Sequence, residues 1–131
     1  MSRNDMVSDN LTCIRNAVQA KKDDVTVPYS NFFSKICEML KEEGYIENFR
    51  KLEEGKKHSL KVYLKYMRRK SVITKIRRIS KPSLRIYVSK DKVPSVLRGR
   101  GTAFISTSHG LLTDKQARKS GLGGEVLFKI W

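Results

Sequence analysis

The stretch SNFFSKICEMLKEEGYIENFRKLEEGKKHSLKVYLKY, residues 30–66, decides the architecture of the first half of the chain. Phe33, Ile36, Cys37 and Leu40 recur at three- and four-residue steps, which puts them on one face of a helix, while Lys35, Glu38, Lys41 and Glu42 fill the other. Ser30 or Asn31 starts that helix, and Glu43-Gly44 stops it, since glycine takes the left-handed conformation at a helix end without a Cβ clash. Beyond Gly44 the period changes from helical to alternating. Leu60, Val62, Leu64 and Tyr66 recur at the strand period, and Tyr45–Leu52 with Ser59–Tyr66 flank the turn Glu53-Glu54-Gly55-Lys56 as a hairpin.

Toward the N-terminus, Val7, Leu11, Ile14 and Val18 mark an amphipathic helix over residues 5–20, with Asn4 or Asp5 as its N-cap. Val25-Thr26-Val27 is a short strand closed by Pro28, which cannot donate to a ladder. Residues 1–66 therefore read as an α-β-α-β-β lobe with two helices on one face of a small sheet. Toward the C-terminus, 67–71 is a basic connection. Val72–Ile79 and Leu84–Ser89 read as strands separated by Lys81-Pro82, and Asp91–Leu97 as a turn or short helix broken by Pro94. Arg98-Gly99-Arg100-Gly101 is a basic loop. Ala103-Phe104-Ile105 is a strand running into Ser106-Thr107-Ser108-His109-Gly110. Thr113-Asp114-Lys115-Gln116 is a capping-box pattern that starts a helix lasting to Ser120, with Gly121 as its stop. Glu125–Trp131 reads as a closing strand, with Val126, Phe128 and Ile130 alternating with Leu127, Lys129 and Trp131. The fold class is α+β: two small lobes, the second (72–131) mainly β with one short helix.

Composition bounds the function. The 131 residues carry 28 Lys+Arg against 13 Asp+Glu, a formal net charge of +15 that calls for a polyanionic partner. The charge is uneven: residues 1–50 hold 7 basic and 8 acidic side chains, residues 51–100 hold 17 and 3. No apolar run approaches the roughly 18 residues of a membrane span, and Met1-Ser2-Arg3-Asn4-Asp5 opens no apolar signal region, so a soluble intracellular protein with no membrane partner is expected. Cys13 and Cys37 are too far apart for a paired-cysteine metal motif and read as reduced residues on apolar helix faces. His58 and His109 fall in different lobes, and no nucleophile elbow, phosphate-binding glycine loop or His-x-x-x-His pattern occurs. The expectation is no enzyme, no metal, no cofactor and no small-molecule substrate.

Two segments point to nucleic acid. From Lys56 to Lys81 there are eleven basic residues and no acid, and strand alternation would set several cations on one exposed face to neutralise phosphates. Ser106, Thr107, Ser108, His109 and Gly110 place small polar donors beside a glycine, a loop able to reach phosphate and sugar oxygens in a shallow minor groove. Tyr87, beside Arg85, is positioned to stack on an unpaired base. Arg98 and Arg100 suit phosphate contact. Each feature also has a structural reading: a solvated charge run, an ordinary turn, a packing tyrosine or a solvent-exposed loop.

Four blocks taken in order resemble the small-subunit ribosomal protein S-eight family of bacterial or chloroplast type. They are Leu11-Thr12-Cys13-Ile14-Arg15-Asn16-Ala17, Leu40-Lys41-Glu42-Glu43-Gly44-Tyr45-Ile46, Ile79-Ser80-Lys81-Pro82-Ser83-Leu84-Arg85-Ile86-Tyr87, and Ile105 to Arg118 followed by Gly121-Leu122-Gly123-Gly124-Glu125-Val126-Leu127 and Trp131. The resemblance implies a structural ribosomal protein that binds an irregular helix in the central domain of small-subunit ribosomal RNA and promotes assembly. It implies Ser106, Thr107 and Ser108 as the main RNA contact, support from Tyr87 and Glu125, and contacts of the first lobe near Asn4, Asp5, Arg15 and Asn16. Neighbouring small-subunit proteins become partners, the chain's own messenger RNA a possible further one, and the ribosome of a bacterial cytoplasm or a plastid stroma the location. Three positions depart from the family pattern. His109 stands where Arg or Lys is common, Cys13 where a basic residue is frequent, and Val96-Leu97-Arg98-Gly99-Arg100-Gly101 replaces a loop richer in glycine and less basic.

From charge alone, a DNA- or RNA-binding module outside the ribosome, such as an RNA chaperone, is the alternative; it would bind duplexes without preference for one ribosomal helix.

Overall fold

The computed structural model describes residues Arg3–Trp131, with side chains from Met6 onward. The fold is α+β, and the chain divides into two compact units, Met6–Ile73 and Thr74–Trp131, with Arg3–Asp5 at the start of the first helix grouped with the second.

In the first unit, helix α1 (Arg3–Gln19) buries Val7, Leu11, Ile14 and Ala17. The expected caps Asn4 and Asp5 lie inside its first turn, and their side chains fall outside the described residues. Asn10 is also buried and donates through Nδ2 to the Pro28 carbonyl at 3.3 Å, which gives a polar group on the inward face a partner. Cys13 corrects the reading of the cysteines. It is exposed, because the inward stripe runs through residues 7, 10, 11, 14 and 17, whereas Cys37 on the second helix is buried. Burial pushes the Cys37 thiol up to about 12.

Strand β1 (Asp24–Pro28) leads to α2 (Asn31–Glu42), where Ser30 is the N-cap and its hydroxyl accepts the Phe33 N–H at 3.0 Å. Phe33, Ile36, Cys37 and Leu40 face inward, and Gly44 follows the helix at φ +82°. The hairpin is β2 (Ile46–Glu54) and β3 (Lys57–Leu64), joined at Gly55-Lys56, in a sheet of order β1-β3-β2. Leu60, Val62 and Leu64 of β3 are buried, and Lys57, Ser59, Lys61 and Tyr63 alternate with them on the other face. Tyr66, assigned to the preceding strand from its spacing, instead opens a second, smaller hairpin of β4 (Tyr66–Met67) and β5 (Lys70–Ser71). The basic connection, residues 67–71, thus lies within this hairpin.

In the second unit, β6 (Ile76–Arg78) and β7 (Tyr87–Val88) lie end to end along one side of β10 (Gly124–Ile130), and β8 (Thr102–Thr107) pairs its other side, followed by β9 (Gly110–Thr113). The strands foreseen over 72–79 and 84–89 shrink to these short pieces. The Thr74 and Lys75 N–H groups both donate to the Trp131 carbonyl, at 2.6 and 2.8 Å, which delays the ladder to Ile76. Lys81 and Leu84 exchange backbone bonds of 3.0 Å around Pro82, and the Ser80 hydroxyl accepts the Ile86 N–H at 2.8 Å, so the intervening backbone is satisfied off the sheet. Residues 91–97 form no continuous helix but two 3-10 turns, Lys90–Lys92 and Leu97–Gly99, around the Pro94 break.

Helix α3 (Asp114–Ser120) has the foreseen capping box: Thr113 and Gln116 satisfy each other's backbone N–H at 3.2 and 3.1 Å, and Gly121 ends it at φ +68°. Ala117 packs against Ile105 and Val93, with Val88 and Leu112 beside them. On β10 the expected alternation breaks. A bulge between Val126 and Phe128 leaves Val126, Leu127 and Phe128 all buried, with Phe128 stacked on Phe104 at 4.6 Å between centroids. Among the described residues, no helix is long and apolar enough to cross a membrane.

Candidate nucleic-acid interface

β8 and β9 meet in a two-residue turn, Ser108-His109, closed by the Thr107–Gly110 pair. The turn is held by Thr107: its hydroxyl donates to the Gly110 carbonyl at 2.7 Å and accepts the His109 N–H at 3.1 Å. Gly110 sits at φ +101°, a value that glycine reaches without strain. Ser108 and His109 are exposed at the tip, 3.3 Å apart from Oγ to Nδ1. Two of the three hydroxyls are therefore presented outward or along the sheet, and the third builds the loop.

Registers across the sheet bring three further candidates together. Glu125 of β10 pairs with Ser106 on one side and with Tyr87 on the other, so Tyr87, Glu125 and Ser106 form one row on one face, spanning roughly 10 Å at the usual strand spacing. Tyr87 is 68% exposed, a large amphipathic ring left in solvent. The Glu125 carboxylate is only 13% exposed and lies 3.3 Å from the Arg85 guanidinium. That contact gives the acid in a basic protein a defined orientation.

Gly123 and Gly124 let β10 enter between β7 and β8. A Cβ on Gly124 would lie 2.1 Å from the Ser106 carbonyl oxygen, and one on Gly123 would lie 2.3 Å from that of Val88. The residue row depends on this close approach. The glycine pair is the sequence signal for this approach, and Gly121 alone stops the helix.

Other candidates lie apart from the row within the second unit or belong to the first. Arg98 and Arg100 are exposed beside a 3-10 turn in which Leu97 and Arg98 take φ +48° and +55°, while Gly101 is buried against Val96 and the C-terminal strand. Lys81 is exposed in the turn closed on Leu84. In the first unit, Asn16 is exposed and Arg15 half-buried on α1, and Lys56 tips the β2–β3 hairpin. The acid-free stretch is divided among several elements. Lys57 and Lys61 lie on β3, Arg68, Arg69 and Lys70 on the β4–β5 hairpin, and Arg77 and Arg78 on β6 of the other unit, because the chain turns three times within the stretch. No group of three or more His, Cys, Asp or Glu capable of holding a metal ion occurs among the described residues.

The family model described as Ribosomal protein S8 matches residues 5–131. The chain belongs to the ribosomal protein S8 family. It is 52% identical to the small ribosomal subunit protein uS8 of Ruminiclostridium cellulolyticum, 51% to that of Halothermothrix orenii and 48% to that of Geobacter sulfurreducens, each over the whole of both chains. The S8 family is one of structural ribosomal proteins, not of enzymes. Its match covers both units, including the Ser106–Gly110 turn and the glycine pair that seats β10.

Proposed function

We propose that this chain is a structural component of the small ribosomal subunit that binds an irregular helix in the central domain of small-subunit ribosomal RNA and thereby promotes subunit assembly. The observation that carries the reading is the row Tyr87–Glu125–Ser106 running toward the exposed Ser108-His109 tip. An exposed ring, an oriented carboxylate and small hydroxyls suit an irregular RNA helix. The ring can stack on an unpaired base, the carboxylate accept from an exocyclic amine, and the hydroxyls bond 2′-OH and phosphate oxygens in a wide minor groove. Arg85, Arg98, Arg100, Lys56 and Lys81 supply affinity through phosphates, while Arg15, Asn16 and, at the chain start, Asn4 and Asp5 add contacts of the N-terminal helix. Neighbouring small-subunit proteins complete the environment, in a bacterial or a plastid ribosome. The same RNA surface would recognise a messenger segment that imitates the ribosomal helix, including one in its own transcript.

Gradient sedimentation of cell extract tests the reading. The tagged chain is expected to travel with small subunits through moderate salt, and Ser108→Ala/Tyr87→Ala to shift toward the top of the gradient. A wild-type chain found only in the unbound fractions would overturn the assignment.

A further inference from the structure

The β4–β5 hairpin turns on Arg68 and Arg69, at φ +53° and +66°. A two-residue turn with both central residues left-handed is the hairpin geometry that Asn-Gly satisfies best, because an L side chain with a Cβ is crowded there. Here two arginines hold it, between Met67 and Lys70. Met67, Arg68, Arg69 and Lys70 are all exposed, and among the described residues none of the three cations has an ion-pair partner. The turn has no packing reason on its surface for either arginine.

The base of the hairpin is fixed. The Tyr66 hydroxyl donates to the Lys22 carbonyl in the α1–β1 turn, and the Val72 N–H donates to the Lys65 carbonyl at 3.0 Å. Partial desolvation and the nearby Asp23 raise the Tyr66 hydroxyl above its ordinary value. That anchor sets the arm next to Lys21 and Lys22, both exposed, with Lys21 itself at φ +55°. A short, tied arm ending in three adjacent cations presents them with less ordering on binding than a free loop would. Arginine adds a planar fork that matches two phosphate oxygens at once.

We infer that Arg68 and Arg69 form a preorganised clamp on RNA backbone phosphates, and that arginines occupy the left-handed turn for this contact rather than for the fold. The inference rests on the ribosomal RNA reading above for the identity of the polyanion. It places a sequence-independent contact in the first unit, separate from the residue row of the second.

The test uses the full chain and a transcript of the small-subunit central domain, with a shuffled hairpin of equal length alongside. Arg68→Asn/Arg69→Gly gives the turn its preferred residues. It is expected to unfold at the same or a higher temperature than wild type, yet to bind with a salt slope, log K against log salt, shallower by about one to two. Arg68→Lys/Arg69→Lys should recover most of the slope, and Lys35→Gln/Lys41→Gln on α2 should leave it unchanged. An unchanged slope in the Asn-Gly variant, an equal loss in the α2 control, or a lower unfolding temperature for Asn-Gly would each overturn the inference. Equal binding of wild type to both RNAs would instead remove the ribosomal reading, while the slope comparison would still decide the clamp.

Discussion

Single residues in the second unit divide into those that build the candidate surface around the β8–β9 turn and those that present chemistry on it. Thr107 is a builder, since its hydroxyl makes two bonds within the turn, whereas Ser108 is exposed beside it. Thr107→Ser is expected to keep RNA affinity, Thr107→Ala to lower both affinity and stability, and Ser108→Ala to lower affinity alone; RNA titration paired with thermal unfolding separates the three. Gly124 is a builder of another kind. Gly124→Ala would push a methyl to 2.1 Å from a backbone oxygen, and overpacking of this sort costs about 1–3 kcal/mol, read as a lower unfolding midpoint. Cysteine chemistry also differs by residue: an alkylating reagent at pH 8 should label Cys13 and spare Cys37 in the folded chain, because the thiolate is the nucleophile and Cys37 titrates only near 12. Since that folded value lies above the ordinary 9.0, the contribution of Cys37 to stability is complete below pH 9 and is lost as pH rises from there toward 12. A Cys37→Ala variant should show a smaller loss over that window.

At the scale of elements, α3 shows how a short helix is held by its ends and its anchor. Asp114 is fully buried; it accepts the Ala103 N–H at 3.2 Å and pairs with Arg118 at 2.9 Å, and Arg118 also donates to the Pro94 carbonyl at 3.1 Å. Asp114→Ala would leave the Ala103 N–H of a central strand without its acceptor, a loss of roughly 1–3 kcal/mol, more than the approximately 1 kcal/mol expected from Thr113→Ala at the cap. Equilibrium unfolding of the two variants checks that order. These elements also show what the sequence could disclose. The capping box at Thr113–Gln116, the start of α2 at Ser30 or Asn31 and the alternation of Leu60, Val62 and Leu64 on β3 are local patterns, and all three stand. What was not legible depended on distant partners. The 72–79 and 84–89 strands were cut short by the Trp131 carbonyl and the Ser80 hydroxyl, and the alternation of β10 was broken by a bulge opposite β8. Cys13 was misplaced for a smaller reason, one helical step off the buried stripe. The row Tyr87–Glu125–Ser106 joins residues 38 and 19 positions apart, so its members were visible singly but not as a row.

Across the whole molecule, the charge of +15 and the residue row would make different contributions to the proposed RNA contact. Cations spread over β3, the β4–β5 hairpin and β6 attract any polyanion and weaken with salt. The row and the turn tip carry one acid, the Tyr87 ring, the His109 imidazole and hydroxyls, whose contacts depend on RNA shape more than on ionic strength. The two contributions separate in a competition titration of wild type between the central-domain ribosomal helix and a shuffled hairpin of equal length, run across a series of salt concentrations, with Ser106→Ala/Ser108→Ala/Tyr87→Ala beside it. Affinity for both RNAs should fall together as salt rises while the preference for the ribosomal helix persists, and the variant should lose that preference with its salt slope intact. Equal binding of both RNAs by wild type at every salt concentration would contradict the account.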